Sequence, residues 1–493
     1  MNSRCTDNAA EPLGKFRQQL YESFPKRRDA TMNLLDSLCA NTAAGSVVEL
    51  SLNVPFDRKY SSVHDAIDNF TIGADGHGRT PEDEARRKAR TTRARIVAEC
   101  IPPPSRERPF WLFGVDTTPN PRPFAATLPD RGIAYRPNPA PGNKPIVVGH
   151  TYSLAALLPE RSPLDPPWIV PVDCRRVPTE RKATEVAAEQ IGALLKDPAL
   201  PYGTALSVEV DDSHYSRAHY LHTTGDFDNH VVIARSAGNR VYYRQPVVSP
   251  DSSSGPGHPT WYGQPFRLAD PETRGAPAET AELQDRTKKG RRLRIRIERW
   301  NDLLMRGHRD CPMHSQPFDL LRCTVFDAET GRRLFERPSW LLVRGRRRGE
   351  LTLEQIYTAY RQRFDLEHFF RFAKNRLLLD KFQTPDVTHE ECWWQLVCLA
   401  YIQLWLAAPL ADALPKPWER YLPERPAGTL SSPTRVQRDF GRIIRLIGTP
   451  ASPPERRGIS PGRRRGTRPD RRPRLPVIFK GKKKRKTATC SAR

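Results

Sequence analysis

Tyr360, Arg363, Glu367, Arg371 and Lys374 recur at helical spacing inside the segment Leu351–Asp380 and set one acid among bases. At about 100° per residue they fall within roughly 40° of Glu367 on a single helical wheel. An apolar stripe beside them, Leu366, Phe370, Ala373 and Leu377, predicts that this helix docks on a core. A carboxylate held on a rigid element and flanked by cations suits a metal ion meeting a phosphodiester. The plainer reading is a set of surface pairs between Glu367 and Arg363 or Arg371, worth on the order of a few tenths of a kcal/mol.

Charge favours the first reading. The 493 residues carry 80 Lys and Arg against 56 Asp and Glu, a formal net charge of +24. That balance suits a polyanionic partner, because each neutralised phosphate releases condensed counterions. More than half of the excess lies beyond Glu455, where sixteen Lys and Arg face only Glu455 and Asp470. This Pro- and Gly-rich tail, with Arg463-Arg464-Arg465 and Lys482–Lys486, lacks a period and is expected to stay disordered until it meets DNA or RNA. The nine cysteines form no CxxC pair and resemble no zinc module, which points to a reducing compartment. No signal peptide is read at the start. Trp393–Leu410, broken by Gln395, Gln403 and Pro409, reads as a buried helix and not a membrane span.

The chain is long enough for two or three domains. Residues 1–105 read as a helical, basic region that could bind DNA, with helices at Gly14–Ser23, Thr31–Cys39 and Ala85–Ala98. Pro102-Pro103-Pro104 marks a boundary. Residues 106–245 carry strands at Trp111–Val115, Pro145–Tyr152, Trp168–Val172, Ala205–Val210, Val231–Ala234 and Arg240–Tyr243, with a helix at Thr179–Leu195. This pattern predicts an α/β fold in which helices pack on a mixed sheet.

Residues 246–345 read as a β-rich insertion. It opens with a loop, Pro250–Thr287, and continues with strands at Leu321–Phe326 and Trp340–Val343. Between them Arg292, Arg294 and Arg296 alternate with Leu293, Ile295 and Ile297, a half-buried strand whose cationic face could follow a DNA backbone. Lys288 and Lys289 precede it. Residues 346–410 return to helix, 411–454 form a C-terminal helical region with a basic helix at Arg438–Leu446, and 455–493 are the tail.

Two further acids stand at predicted strand ends: Asp116, and one of Asp211 and Asp212. A sheet can bring distant strand ends together while a packed helix supplies Glu367. Three such carboxylates could hold two Mg²⁺ ions about 3.5–4 Å apart, activating water or a DNA 3′-hydroxyl and stabilising the leaving oxygen. Each acid also has a plainer use, as a turn, cap or surface-pair residue. His150 and His214 read as packing or hydrogen-bonding residues, since no compact His/Cys set accompanies them.

Tyr360, Arg363, Glu367 and Lys374 match the Y-(2)-R-(3)-E-(6)-K signature in all four positions, and the chain resembles the IS4-type DDE transposases. Phe113–Thr118 and Val210–Ser216 extend the likeness, which spans about residues 105–410. The resemblance implies an RNase H-like catalytic core with a β-rich insertion, and a DDE triad of Asp116, Asp212 and Glu367 binding Mg²⁺, with Mn²⁺ as a substitute. Asp212 is preferred because it directly precedes Ser213-x-Tyr215. The same likeness implies DNA-phosphate contacts from Tyr360, Arg363 and Lys374, beside which Arg371 stands on the basic face.

Double-stranded DNA, terminal inverted repeats, target DNA, a homodimeric synaptic complex and a cytoplasmic, nucleoid-associated site of action follow from that resemblance. Thr117 departs from it, since many relatives carry a second aspartate there. Trp300 and Trp261 are candidate stacking partners for a flipped base, though each also reads as a structural aromatic. A metal-dependent endonuclease without strand transfer, and a DNA-binding protein whose catalysis has decayed, stay open as alternatives.

Overall fold

The computed structural model describes residues 3–71, 82–136, 145–162, 165–225, 227–246, 261–287, 289–413, 418, 421, 429–456, 462, 464–468 and 470–480. Helices α1 (Ser3–Ser23), α2 (Arg28–Cys39), α3 (Ser61–Asp68) and α4 (Glu82–Ala98) come first. Strands β1 (Trp111–Pro121), β2 (Gly132–Tyr135), β3 (Ile146–Leu157) and β4 (Val170–Val177) follow. Then come α5 (Ala183–Lys196), β5 (Ser207–Asp211), α6 (Ala218–Thr224) and β6 (His230–Ser236). A small ribbon of β7 (Val241–Tyr243) and β8 (Pro265–Arg267) precedes β9 (Glu279–Arg286), β10 (Arg292–Leu303), β11 (Phe318–Asp327) and β12 (Ser339–Arg344). Helices α7 (Leu353–Gln362), α8 (Asp365–Arg376), α9 (Val387–Ala413) and α10 (Pro433–Ile447) close the order.

One ten-stranded sheet runs β2-β3-β1-β5-β6-β12-β11-β10-β9, with β4 also paired to β3. β1, β5 and β6 are parallel neighbours, while the other pairings are antiparallel. A mixed sheet with flanking helices is therefore present, and the order β4-β3-β1-β5-β6 is consistent with an RNase H-like core. β8 pairs apart, with β7, but β9, β10, β11 and β12 form no separate sheet. β12 pairs with β6, so they prolong the first one.

β10 follows its alternating pattern: Leu293, Ile295 and Ile297 are buried and the arginines point outward. The stretch expected as a loop, Pro250–Thr287, differs. Residues 250–260 lie outside the described residues, but β8 and β9 are strands. Glu279–Arg286 has only Ala281 and Leu283 as apolar residues, on one half-buried face, too short an alternation to stand out among its charges; its pairing with β10 makes it a strand.

The segment Leu351–Asp380 is two helices, not one. Leu366 N–H donates to the Arg363 carbonyl at 3.1 Å and Glu367 N–H to Phe364 at 3.1 Å, so i→i−3 bonds tighten the chain between α7 and α8. Thr352 caps α7, its side chain accepting from Gln355 N–H, and starts this helical unit where the sequence predicts.

α9 meets the length and hydropathy of a membrane span, yet 89% of its most apolar stretch is buried inside the protein. Helices α1, α2, α3 and α10 pack around it. Arg17 of α1 pairs with Asp36 of α2 and donates to Gln403 of α9 at 2.9 Å, all three being buried. α2 is buried along ten of its residues and presents no free face to a DNA groove. Part of the tail also departs from expectation. Leu475 N–H donates to Ala126 at 2.8 Å and Ile478 N–H to Arg131 at 2.8 Å, so this stretch is docked beside β2. Lys482–Lys486 lie outside the described residues.

Candidate active site

β1 does not stop at Asp116. It runs on to Pro121 against β3, whereas its parallel ladder with β5 ends at Gly114↔Val210. Continuing that register by two residues sets Asp116 beside Asp212, just past the end of β5, on one face of the sheet. Gly114 lies on this face, where an added methyl would come within 2.9 Å of Leu366 Cδ1. α8 thus rests directly on β1, and Glu367 follows Leu366. Asp116, Asp212 and Glu367 all line one cleft of about 1290 Å³.

Arg363 stands between two of the acids. Its Nη1 lies 3.3 Å from Asp116 Oδ2 and its Nη2 3.5 Å from Glu367 Oε1. Thr117 N–H donates to Asp116 Oδ1 at 2.7 Å, and His214 N–H donates to Asp212 Oδ1 at 2.7 Å. Burial raises the Asp116 carboxyl to about 6; Arg363 and the Thr117 amide oppose this, while the Asp212 and Glu367 charges add to it. The Arg363 guanidinium is desolvated, yet its four neighbours Asp116, Tyr360, Asp212 and Glu367 keep it above its ordinary value.

Residues 19–306 match the family described as DDE superfamily endonuclease, more than half of the chain. The chain belongs to that family. The matched span contains Asp116 and Asp212 and ends before Glu367, whose place beside them comes from the packing of α8. No curated protein matches this DDE superfamily member. A cryo-EM structure of piggyBac transposase in a synaptic complex with hairpin DNA is similar over 82% of this chain and 78% of that one, at 9% identity and a TM-score of 0.32. So slight a likeness carries no argument about this chain.

Hard carboxylate oxygens on three elements fit Mg²⁺ in kind. Burial raises Asp116 most, and the smaller push from the Asp212 and Glu367 charges is what a divalent cation would relieve. As they stand, with Arg363 interposed, no three His, Cys, Asp or Glu among the described residues are grouped closely enough to hold a metal ion.

Asp211 takes a different position from Asp212. It is fully buried, and neither carboxyl oxygen has a hydrogen-bond partner among the described residues. It shares the opposite strand face with Glu209, which accepts from Tyr220 Oη and lies 2.9 Å from His230 Nε2. Burial first, then the Glu209 and Asp212 charges, hold the Asp211 carboxyl well above its ordinary range. Asp212, only partly buried, is the one that lines the cleft.

The other expected contacts divide. Arg371 is exposed and lines the same cleft. Lys374 Nζ donates to Thr118 Oγ1 at 2.7 Å and to Pro119 O at 3.3 Å, tying α8 to β1. Tyr360 is half-buried, its phenol raised by burial and lowered in part by Arg363. Arg292, Arg294 and Arg296 stand away from the cleft on β10, with Arg294 2.8 Å from Glu282 and Arg296 3.5 Å from Glu298.

Trp300 is a core aromatic, donating to the Gly275 carbonyl at 3.3 Å. Trp261 is exposed and stacked on His314 at 4.6 Å between centroids. His150 is buried in hydrogen bonds, whereas His214 lines the cleft. Sequence reasoning missed Lys480, which also lines the cleft; nothing in the tail's composition marks one lysine among sixteen basic residues.

In metal-free protein, Asp116→Asn should stabilise the fold in a pH-dependent way. The folded state holds this proton more tightly than the unfolded chain, with a carboxyl near 6 against 3.8. Its ionisation therefore costs nothing below 3.8, progressively more between the two values, and the full amount above about 6. That amount is on the order of 2–3 kcal/mol. Thermal melts in chelator should show the variant's advantage growing from pH 4 to pH 8; an advantage independent of pH would mean Asp116 is not held as described.

Proposed function

We propose that this chain is an IS4-type DDE transposase. It would cut DNA at the terminal inverted repeats of an insertion sequence and join the freed 3′-hydroxyl to target DNA. The observation that carries the reading is that Asp116, Asp212 and Glu367 line one cleft within a member of the DDE superfamily endonucleases. Tyr360, Arg363, Glu367 and Lys374, at the spacing of the family signature, support the narrower assignment. The order of β4-β3-β1-β5-β6 supports an RNase H-like core around it.

Asp116, Asp212 and Glu367 would hold Mg²⁺, or Mn²⁺ in its place, which when bound lowers the pKa of water or a sugar hydroxyl and offsets charge on the leaving oxygen. Asp116 ionises near 6, so it would be mostly a carboxylate at neutral pH. Arg363 balances Asp116 and Glu367 in the protein alone and offers a guanidinium fork to an entering phosphodiester. Arg371, exposed at the cleft, would contact the DNA backbone. Lys374, spent on Thr118 and Pro119, would act by positioning β1 and with it Asp116.

The partners would be duplex DNA bearing terminal repeats and a target duplex, gathered by two copies of the chain. The site of action would be the cytoplasm, at the nucleoid. Incubation with Mg²⁺, supercoiled plasmid and duplexes carrying the repeats that flank the gene tests this reading. Covalent joints between repeat end and plasmid are expected. Nicked or linear plasmid without joints would make the protein an endonuclease only, and DNA binding without cleavage would mark a decayed enzyme.

A further inference from the structure

A second cleft, of about 780 Å³, adjoins the acid cleft. Arg235, Arg274, Arg322, Arg333 and Arg337 line it against a single carboxylate, Glu336. The two clefts meet at consecutive residues: Asp212 lines the first and Ser213 the second. Arg235 is placed by the sheet, since Ala234 pairs with Asp211, and the next residue on β6 falls level with Asp212. Its charge also reaches Tyr360, opposing in part the rise that burial gives that phenol.

Three of these cations are not consumed by the fold. Arg235, Arg333 and Arg337 are exposed and pair with no carboxylate among the described residues. Arg274 is buried with its guanidinium 5.6 Å from the Trp340 ring, and it is depressed first by burial and then by the Arg322 charge. Arg322 has a partner in Glu298 at 3.1 Å, yet two like charges still crowd the floor of the cleft. An unbalanced group of guanidinium forks in a concave wall focuses positive potential and matches the planar oxygens of a phosphate. The row on β10 differs, because Arg294 and Arg296 have Glu282 and Glu298 beside them.

We infer that this arginine cleft is a second DNA-backbone site, holding phosphates of the strand that leaves the acid cleft on the Asp212 side. The inference rests on the proposed DNA-cleaving function and adds where the substrate lies beyond the reacting phosphodiester. The strip between β10 and β9, which the sequence marks as cationic, would contribute little by comparison.

Binding of a labelled DNA duplex in chelator, followed by anisotropy across a range of salt, tests it. Arg333→Ala with Arg337→Ala should weaken binding at least about tenfold near physiological salt and reduce the slope of log K against log salt by about 2, close to 0.9 for each phosphate no longer neutralised. Arg333→Lys with Arg337→Lys, which keeps both charges, should restore the slope, and Arg294→Ala with Arg296→Ala should change it little. Unchanged affinity and slope in the double alanine variant, in a protein that still cuts DNA, would overturn the arginine cleft and leave the enzyme reading intact. Wild-type protein that neither binds nor cuts duplex DNA would remove both. Loss of binding to an RNA hairpin with duplex binding unaffected would assign the cleft to RNA and overturn the proposal as well.

Discussion

Replacing Asp116 by Asn, or Glu367 by Gln, is expected to reduce DNA cleavage by on the order of 10²–10³-fold or more, the loss seen when a group that meets transition-state charge is removed. Each change keeps the size of the side chain and deletes one charge from the cleft that Asp116, Asp212 and Glu367 share. Glu367→Gln also releases Arg363 from one of its two carboxylates and leaves the 3.3 Å contact with Asp116 in place. DNA binding should persist in both variants, because removing an acid from a cleft that receives phosphate lessens repulsion. Nicking of supercoiled plasmid measures the first effect and anisotropy the second. Cleavage by Glu367→Gln at the wild-type rate would exclude Glu367 from the site. The double variant should lose little more than either single one, since residues that act as a unit are not additive.

Glu390→Ala should cost stability on the scale of about 3–5 kcal/mol, the range for removing one partner of a buried ion pair. Glu390 lies on α9 and is fully buried. Its Oε2 accepts from Arg122 Nε at 2.9 Å, and its Oε1 accepts from Tyr152 Oη at 2.9 Å and lies 2.7 Å from His150 Nδ1. Burial pushes the Glu390 carboxyl up, but the His150 hydrogen bond and the His150 and Arg122 charges outweigh it and leave it below its ordinary value. The stabilisation is therefore present above the ordinary carboxylate range and is lost as pH falls through the depressed value.

Truncation would strand the Arg122 guanidinium, which also donates to the carbonyls of Asp380 at 3.1 Å and Phe382 at 2.6 Å. Since Arg122 directly follows β1, this network ties the strand that carries Asp116 to α9. Urea unfolding should show the loss in full for Glu390→Ala and a smaller one for Glu390→Gln. An unchanged midpoint in the alanine variant would contradict the burial of Arg122 as an ion.

Several elements were legible because their periods are strong. The alternation over Arg292–Ile297 became β10 with its arginines outward. Trp393–Leu410 became the buried α9. Where a period was weak or a local bond intervened, the reading drifted. β9 is too polar to betray itself, and the break at Arg363 and Phe364 comes from i→i−3 bonds that a helical wheel does not register. His150, which reads as a packing or hydrogen-bonding residue, does hydrogen-bond, to Glu390 240 residues away.

The sequence by itself determined the kind of chemistry at stake: an excess of cations, acids at apolar strands, and Tyr360, Arg363, Glu367 and Lys374 in a spacing that resembles one family. Residue types and local periods are properties of neighbouring positions, so they survive without a fold. Only the tertiary structure decided that Asp212 faces the cleft while Asp211 faces the core, that Lys374 holds β1, and that Arg294 and Arg296 of β10 lie beside Glu282 and Glu298. Each of those depends on which strand lies beside which and in what register, and a one-residue change of register turns a side chain to the opposite face.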